Sequence, residues 1–172
     1  MRKWLSFLGA ITLLGTSTTS LVACNNIPQY NEEELQQLKK ENQICTNCQE
    51  IKENLEWICP QEKPFNTVDN KYYYVVWKGD ENDNWRIVKF QNTEKIRLKG
   101  GNKLVLDYYG RVDDPNKINL VFDAKIINLR ANDQIWKENS NNFKSVYRWN
   151  GEEQKLPNLV VDTDGNVKVN GE

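Results

Sequence analysis

Two neighbouring segments decide the fold, Lys71–Lys78 (KYYYVVWK) and Trp85–Gln91 (WRIVKFQ). Both are rich in aromatic and β-branched residues, which favour strands because their side chains pack well on a pleated surface. The run Gly79–Asn84 (GDENDN) between them has the composition of a turn. The sequence therefore predicts a β-hairpin here.

Further strand-like segments follow, separated by turn residues such as Gly100-Gly101 and Asp164-Gly165-Asn166. The predicted strands are Lys95–Lys99, Lys103–Tyr109, Ile118–Leu129, Phe143–Trp149, Leu159–Val161 and Val167–Val169. Many short strands with turns between them are typical of an antiparallel sheet, a sandwich or an open barrel. Residues 130–142 fit either a short helix or a loop. We expect residues 71–172 to form a mainly β, antiparallel domain.

A helical pattern precedes the strands. Asn31 is suited to an N-cap, and Glu32–Glu34 would complement the dipole of the first helical turn. Apolar residues then recur at spacings of three, four or seven, as on one face of a helix: Leu35, Leu38, Cys45, Cys48, Ile51, Leu55 and Ile58. This pattern predicts one amphipathic helix within residues 31–59. Two prolines, Pro60 and Pro64, make residues 60–70 an extended linker.

The N-terminus has the layout of a secretory signal peptide. A short basic start, Arg2-Lys3, precedes the apolar run Trp4–Leu14 (WLSFLGAITLL), and the Gly/Ser/Thr-rich run Gly15–Ser20 interrupts it. A helix that spans a membrane needs about 20 predominantly apolar residues. We therefore expect residues 1–23 to be a cleaved signal peptide rather than a retained anchor helix.

Leu21-Val22-Ala23-Cys24 resembles the bacterial lipobox, in which a large aliphatic residue and small residues precede an obligatory cysteine. By that resemblance, cleavage falls between Ala23 and Cys24, and the Cys24 sulfur receives a diacylglyceryl group. Two acyl chains suffice for stable membrane anchoring, at about 0.8 kcal/mol per buried CH₂. Residues 24–30 then form a short lipidated tether, and the localisation implied is the outer face of the cell membrane.

Composition argues against several functions. The chain has 23 Lys+Arg, 24 Asp+Glu and no His. The absence of His excludes Ser-His-Asp and Cys-His catalysis and His-containing metal sites. Without clustered Lys and Arg, nucleic acid is not expected as a partner. We expect no cofactor, no metal and no catalytic residues.

The cysteines leave two interpretations open. Cys45-Thr46-Asn47-Cys48 has the spacing of a redox or zinc motif, but zinc needs four ligands and only Cys59 remains besides this pair and Cys24. Small apolar core residues on the helix are the simpler interpretation. Alternatively, a disulfide among Cys45, Cys48 and Cys59 leaves an odd thiol, which suggests self-association through the helix.

Three other patterns in the sequence resemble functional sites. Asp80–Asn84 and Asp162–Asn166 have the composition of calcium loops but lack the Gly and Glu that an EF-hand requires. The carboxylate pairs Asp113-Asp114 and Glu152-Glu153 are adjacent, so their side chains point apart, unlike those of a glycosidase. Aromatic residues suited to a sugar-binding platform, or to the core, are Trp77, Trp85, Trp136 and Trp149.

The chain resembles the plasma-membrane lipoproteins of wall-less bacteria (mollicutes), specifically the spiroplasma type. The resemblance is carried by the leader MRKWLSFLGAITLLGTSTTSLVAC, by Lys71–Asn92 and by Val146–Glu152 (VYRWNGE). It implies a location and a lineage but no activity, and surface lipoproteins of such cells are often proposed as adhesins or antigens. We therefore expect a non-enzymatic surface lipoprotein that contacts host or neighbouring surface proteins. A lipoprotein that binds a small ligand or glycan through strand aromatics is the alternative, and a His-free hydrolase is a third hypothesis.

Overall fold

A computed structural model of the chain describes residues 29–79, 82–94, 103–108, 119–123, 126–129, 134–135 and 141–172. The described helices are α1 (Glu32–Glu41) and α2 (Gln49–Asn54), with 3₁₀ turns at Pro60–Glu62, Pro64–Asn66 and Glu153–Lys155. The described strands are β1 (Leu55–Trp57), β2 (Tyr72–Trp77), β3 (Arg86–Gln91), β4 (Lys103–Tyr108), β5 (Asn119–Asp123), β6 (Ile126–Leu129), β7 (Gln134–Ile135), β8 (Phe143–Trp149), β9 (Leu159–Val161) and β10 (Val167–Val169). The mainly β, antiparallel fold class predicted from the sequence is confirmed.

The predicted β-hairpin is present. Strands β2 and β3 pair antiparallel from Tyr72 opposite Gln91 to Trp77 opposite Arg86. In the turn, the Gly79 N–H donates to Asp83 Oδ2 at 3.1 Å. The aromatic and β-branched composition of both segments therefore predicted the right pairing.

Around this hairpin the central sheet has the strand order β1-β8-β2-β3. Strand β8 lies between β1 and β2 and pairs antiparallel with both, so one segment near the C-terminus joins two segments near the N-terminus. The register between β2 and β8 shifts at Val76/Trp77, which indicates a β-bulge. This sheet brings the two ends of the described chain together.

A second antiparallel sheet has the order β4-β5-β6-β7, and β9 and β10 form a separate hairpin. The single strand predicted over Ile118–Leu129 is in fact two paired strands, β5 and β6, because the chain reverses after Asp123. The predicted strand Lys95–Lys99 lies outside the described residues. The ambiguous stretch 130–142 contributes β7, and most of its remainder also lies outside them.

Both faces of the central sheet are buried, and each carries its own apolar cluster. The first cluster joins this sheet to β5 and to the 3₁₀ turn at Pro64–Asn66, and consists of Ile58, Phe65, Tyr73, Val75, Trp77, Phe90, Leu120, Phe122, Phe143 and Val146. The second lies under the helices and the C-terminal hairpin, and consists of Ile44, Ile51, Leu55, Trp57, Cys59, Tyr74, Val76, Tyr147, Trp149, Leu159 and Val167.

The structure corrects the single continuous helix predicted over residues 31–59: α1 ends at Glu41, and helical structure resumes only in α2, Gln49–Asn54. Its start is as expected: Asn31 accepts a hydrogen bond from the Glu34 N–H, and the Glu34 carboxylate accepts one from the Asn31 N–H. The helix ends at Glu41, where the Asn42 side chain donates to the Leu38 carbonyl. Residues 55–57 form β1 because they can pair with β8, a tertiary contact that outweighs a helical spacing.

Within the described residues, neither helix has the length and apolarity needed to cross a membrane.

We expect Trp77→Ala to lower the free energy of unfolding by about 3–5 kcal/mol. Trp77 is fully buried in the first cluster, and its Nε1–H donates to Asp107 Oδ2 on β4 at 3.0 Å, so the substitution removes both core volume and a link between the two sheets. Urea unfolding followed by circular dichroism would measure the change. Val160→Ala, at an exposed position, is the control and should cost no more than about 0.5 kcal/mol. Equal effects of the two substitutions would contradict this assignment of the core.

Candidate functional site

The predicted lipidation residue Cys24, and Ala23 on the other side of the predicted cleavage point, lie outside the described residues. The described chain begins at Gln29, and its next residue is fixed to the domain. The Tyr30 N–H donates to Gln61 Oε1 at 2.6 Å, and the Tyr30 carbonyl accepts from Gln61 Nε2 at 3.1 Å. The Tyr30 ring packs against the second core cluster. One side-chain amide thus holds Tyr30 to the domain, and we call this residue the exit point.

Lys63 lies beside this exit point, two residues after Gln61. Its side chain is exposed, and its backbone is left-handed, with φ of 46°, where the chain passes from one 3₁₀ turn to the next. We call the surface formed by Gln29, Tyr30, Gln61 and Lys63 the tether face.

An ionic cluster centred on Glu56 fixes α1 against the sheet. Glu56 accepts from Lys39 Nζ at 2.5 Å, from Arg148 Nη2 at 2.6 Å and from Asn150 Nδ2 at 3.0 Å. Lys39 also contacts Glu62 at 2.7 Å, which connects α1 to the turn that holds Tyr30. Burial alone would raise the pKa of Glu56, but these hydrogen bonds from cations and from an amide outweigh it and lower the pKa to about 2.

A groove of about 1130 Å³ lies at the other end of α1. One wall is the connector between the helices (residues 41–47), the other is the C-terminal hairpin, and β8 lies between them. The charges on its walls are largely paired: Lys168 contacts Asp162 at 3.0 Å, and Lys144 Nζ donates to the Asp164 carbonyl. The groove is therefore lined by polar groups that already have partners.

The two walls of the groove are joined by Glu172. Its carboxylate accepts from Thr46 Oγ1 at 2.8 Å and from the Asn47 N–H at 3.2 Å. Neither this contact nor the one between Gln61 and Tyr30 was predicted, because the partners are 126 and 31 residues apart in the sequence and no local pattern signals them.

The cysteines do not lie where the sequence placed them. Cys45 is exposed in the connector and lines the groove, and Cys48 caps the start of α2 and is partly buried. The prediction that both are core residues on one helical stripe is therefore wrong, because the helix ends before them. Cys59 is fully buried in the second cluster. The structure holds Cys45 and Cys48 as thiols; the disulfide among the three cysteines and the self-association that it suggested stay predictions.

The tryptophans considered for a sugar platform mostly lie in the core. Trp77 and Trp149 are at most 1% exposed, and Trp136 lies outside the described residues. Trp85 is partly exposed, but other groups already contact its ring. Lys78 and Lys144 place their ammonium groups 5.0 and 5.8 Å from its centre, and Gly165 packs so closely that an added Cβ would lie 2.8 Å from the indole.

The remaining acidic motifs act as turns or surface pairs in the described part of the chain. Asp162 accepts from the N–H groups of Asp164 and Asn166, which stabilises the turn between β9 and β10 and lowers the pKa of Asp162. Glu153 accepts from the Tyr72 hydroxyl, and Glu152 pairs with Lys155. Among the residues that the structure describes, no three Cys, Asp or Glu side chains are grouped as metal ligands would be. Asp113-Asp114 lies outside them.

Comparison with known proteins gives one similarity. No family model and no solved structure matches this chain. The chain is 28% identical over 96 residues to the uncharacterized protein ORF1 of Spiroplasma virus SpV1-R8A2 B. That stretch is 55% of this chain but only 9% of the viral protein's length. The similarity supports a connection with mollicutes and does not by itself indicate a lipoprotein.

The Glu56 cluster predicts a pH dependence. A carboxylate whose pKa is lower in the folded state stabilises the fold above its unfolded value of 4.5, and this stabilisation is lost as the pH falls towards 2. At pH 7 we expect Glu56→Gln to reduce the free energy of unfolding by about 2 kcal/mol, with the difference from the natural chain shrinking below pH 4. Urea unfolding at pH 7, 5, 4 and 3 would measure it. Glu33→Gln, at an exposed position on α1, is the control; a pH-independent difference for Glu56→Gln would contradict the assignment.

Gly165 and Gly171 provide a matched pair for the Trp85 contact. Both have positive φ, 78° and 94°, but only Gly165 has the indole beside it. We expect Gly165→Ala to cost about 1–3 kcal/mol more than Gly171→Ala, because the new methyl group collides with Trp85. Thermal unfolding of both variants would measure the difference in cost. Combining Trp85→Ala with Gly165→Ala should make that difference smaller. Equal costs at the two positions would mean that backbone strain alone matters.

Proposed function

We propose that this chain is a spiroplasma-type lipoprotein, anchored through diacylglyceryl-Cys24 to the outer face of a mollicute cell membrane. The support is the leader, with its basic start, its apolar run and the lipobox-like Leu21–Cys24, together with the similarity to a Spiroplasma virus protein. Two acyl chains on one thiol anchor a protein stably, whereas one chain is marginal.

The observation that carries the proposal is the position of Cys24 relative to the folded domain. Tyr30, held on both sides by Gln61, is only six residues beyond Cys24. The cysteine thus lies between an apolar leader and a residue that is fixed in the domain. Cleavage between Ala23 and Cys24 would remove the leader and leave the described domain intact.

At the membrane surface we propose a non-enzymatic role in adhesion or contact with neighbouring or host proteins. The described central-sheet tryptophans are used in packing, and the ring of Trp85 is contacted by two lysines and by Gly165. A glycan-binding role would require an open indole face, so this packing favours protein contact. Exposed surface in the described residues is largely polar, with Val160 as the large apolar exception.

We expect Cys24→Ser to abolish palmitate incorporation and to move the protein out of the membrane fraction, because the hydroxyl does not replace the thiol that receives the lipid. Metabolic labelling and detergent-phase partitioning in cells that express the full chain would measure both. Cys45→Ser is the matched control: it removes an exposed thiol in the domain and should leave labelling unchanged. Equal labelling of the natural chain and Cys24→Ser would overturn the anchor.

The contact role has its own test on intact cells. An amine-reactive crosslinker should give discrete adducts between the anchored chain and other surface proteins, through exposed lysines such as Lys40, Lys52 and Lys168. Cells that express Cys24→Ser should not give these adducts. If the anchored chain yields only uncrosslinked monomer, the contact role is rejected while the anchor stands.

A further inference from the structure

We propose that the tether face rests against the lipid headgroups, so that the domain lies on the bilayer in one orientation. This inference rests on the lipid anchor at Cys24. It goes further by assigning an interaction surface, formed by Gln29, Tyr30, Gln61 and Lys63, and a partner, the headgroup layer of the membrane that holds the anchor.

The length of the tether limits the orientations that the domain can take at the membrane. From Cys24 to Tyr30 the chain has six residue steps, and a fully extended chain spans at most about 3.3–3.6 Å per residue, which is about 20–22 Å in total. A domain of about 140 residues has a radius of gyration of about 14 Å and so is wider than the tether is long. The domain therefore cannot turn over while the lipid stays inserted, because its far side would carry Tyr30 beyond the reach of the tether. Tyr30 stays on the half of the domain that faces the lipid.

The exit point, Tyr30, is rigidly placed. Both backbone groups of Tyr30 bind the Gln61 amide, and its ring packs on the second core cluster. Behind Gln61, Glu62 accepts from the Cys59 N–H at 2.8 Å and pairs with Lys39 of α1. A short tether attached to a rigid point restricts the orientation of the whole domain, whereas a frayed attachment would not.

The charges on the tether face fit a layer of lipid headgroups. Glu62 is neutralised by Lys39, which leaves Lys63 as an exposed cation beside the exit, where it can reach headgroup phosphates. The neighbouring Glu32–Glu34 would be repelled by anionic lipid. Together these groups fit a zwitterionic surface better than a strongly anionic one.

The groove gives a reference point. It begins at Glu41, the last residue of α1, whereas Tyr30 lies just before the start of that helix, whose ten residues rise by about 15 Å. Exposed Cys45 in the groove is thus a natural position at which to place a comparison label.

The test uses the full lipidated chain, purified from membranes and reconstituted in phosphatidylcholine vesicles that carry headgroup nitroxides. One sample has Asn66→Cys with Cys45→Ser and Cys48→Ser; the other has Cys48→Ser alone, so that Cys45 is labelled. Asn66 is exposed, and its N–H donates to the Lys63 carbonyl at 3.1 Å, so a label there lies next to the tether face and leaves Lys63 in place. Buried Cys59 stays unlabelled in the folded protein. We expect the nitroxides to quench a thiol-linked fluorophore at position 66 on the order of two-fold more than one at position 45, because α1 spans about 15 Å between Tyr30 and the start of the groove.

A longer tether is the matched control. A Gly/Ser insertion of about 20 residues between Asn26 and Ile27 adds a root-mean-square reach of about 25 Å without touching the domain. It should remove the excess quenching at position 66 while the protein stays on the vesicles. Equal quenching at both positions, or quenching unaffected by the insertion, would overturn the inference but not the anchor. Failure of the natural chain to float with vesicles would overturn the anchor and the inference together.

Discussion

Strand β2 and its pairing with β8 are the contact on which the rest of the structure depends. Successive β2 side chains point to opposite faces of the sheet, and both faces are apolar: Tyr73, Val75 and Trp77 enter the first cluster, and Tyr74 and Val76 enter the second. A strand buried on both sides must be covered on both sides. The second sheet and the 3₁₀ turn containing Phe65 cover one face, and the helices and the C-terminal hairpin cover the other. Strand β8 is buried in the same way and contributes to both clusters.

Because the N-terminal elements cover one face of this sheet, the start of the folded chain is tied to its end. The carboxylate of Glu56 on β1 receives Arg148 and Asn150 from the C-terminal part and Lys39 from α1. Such half-buried charges cost desolvation energy, which three converging donors offset. The contacts extend to Tyr30, because Lys39 also pairs with Glu62, whose neighbour Gln61 hydrogen-bonds to both backbone groups of Tyr30. Core packing, the ionic cluster and the exit point of the tether are thus one continuous set of contacts.

This arrangement is compatible with the contact role proposed for the protein. The aromatic residues of the described strands are used for packing, the groove walls are already hydrogen-bonded, and the surface is mixed in charge. A domain of this kind offers a rigid, polar surface for contact. Its short connection to the proposed lipid anchor would decide which part of that surface neighbouring molecules meet. The similarity to a Spiroplasma virus protein covers a small part of that longer chain, so it bears on lineage rather than on mechanism.

The sequence by itself determined what depends on local pattern. Aromatic and β-branched runs predicted the β2–β3 hairpin, β8, β9 and β10, and the Asn31 cap predicted the start of α1. Tertiary structure decided where local signals were ambiguous or silent. The helical spacing of Cys45, Cys48, Ile51 and Leu55 persists past Glu41, yet α1 ends there and helical structure resumes only in α2. After α2 the chain becomes a strand because Leu55–Trp57 pairs with β8. The clamp on Tyr30, the Glu56 cluster and the Glu172 contact join residues far apart in sequence, and only the folded chain brings their hydrogen-bonding groups within reach.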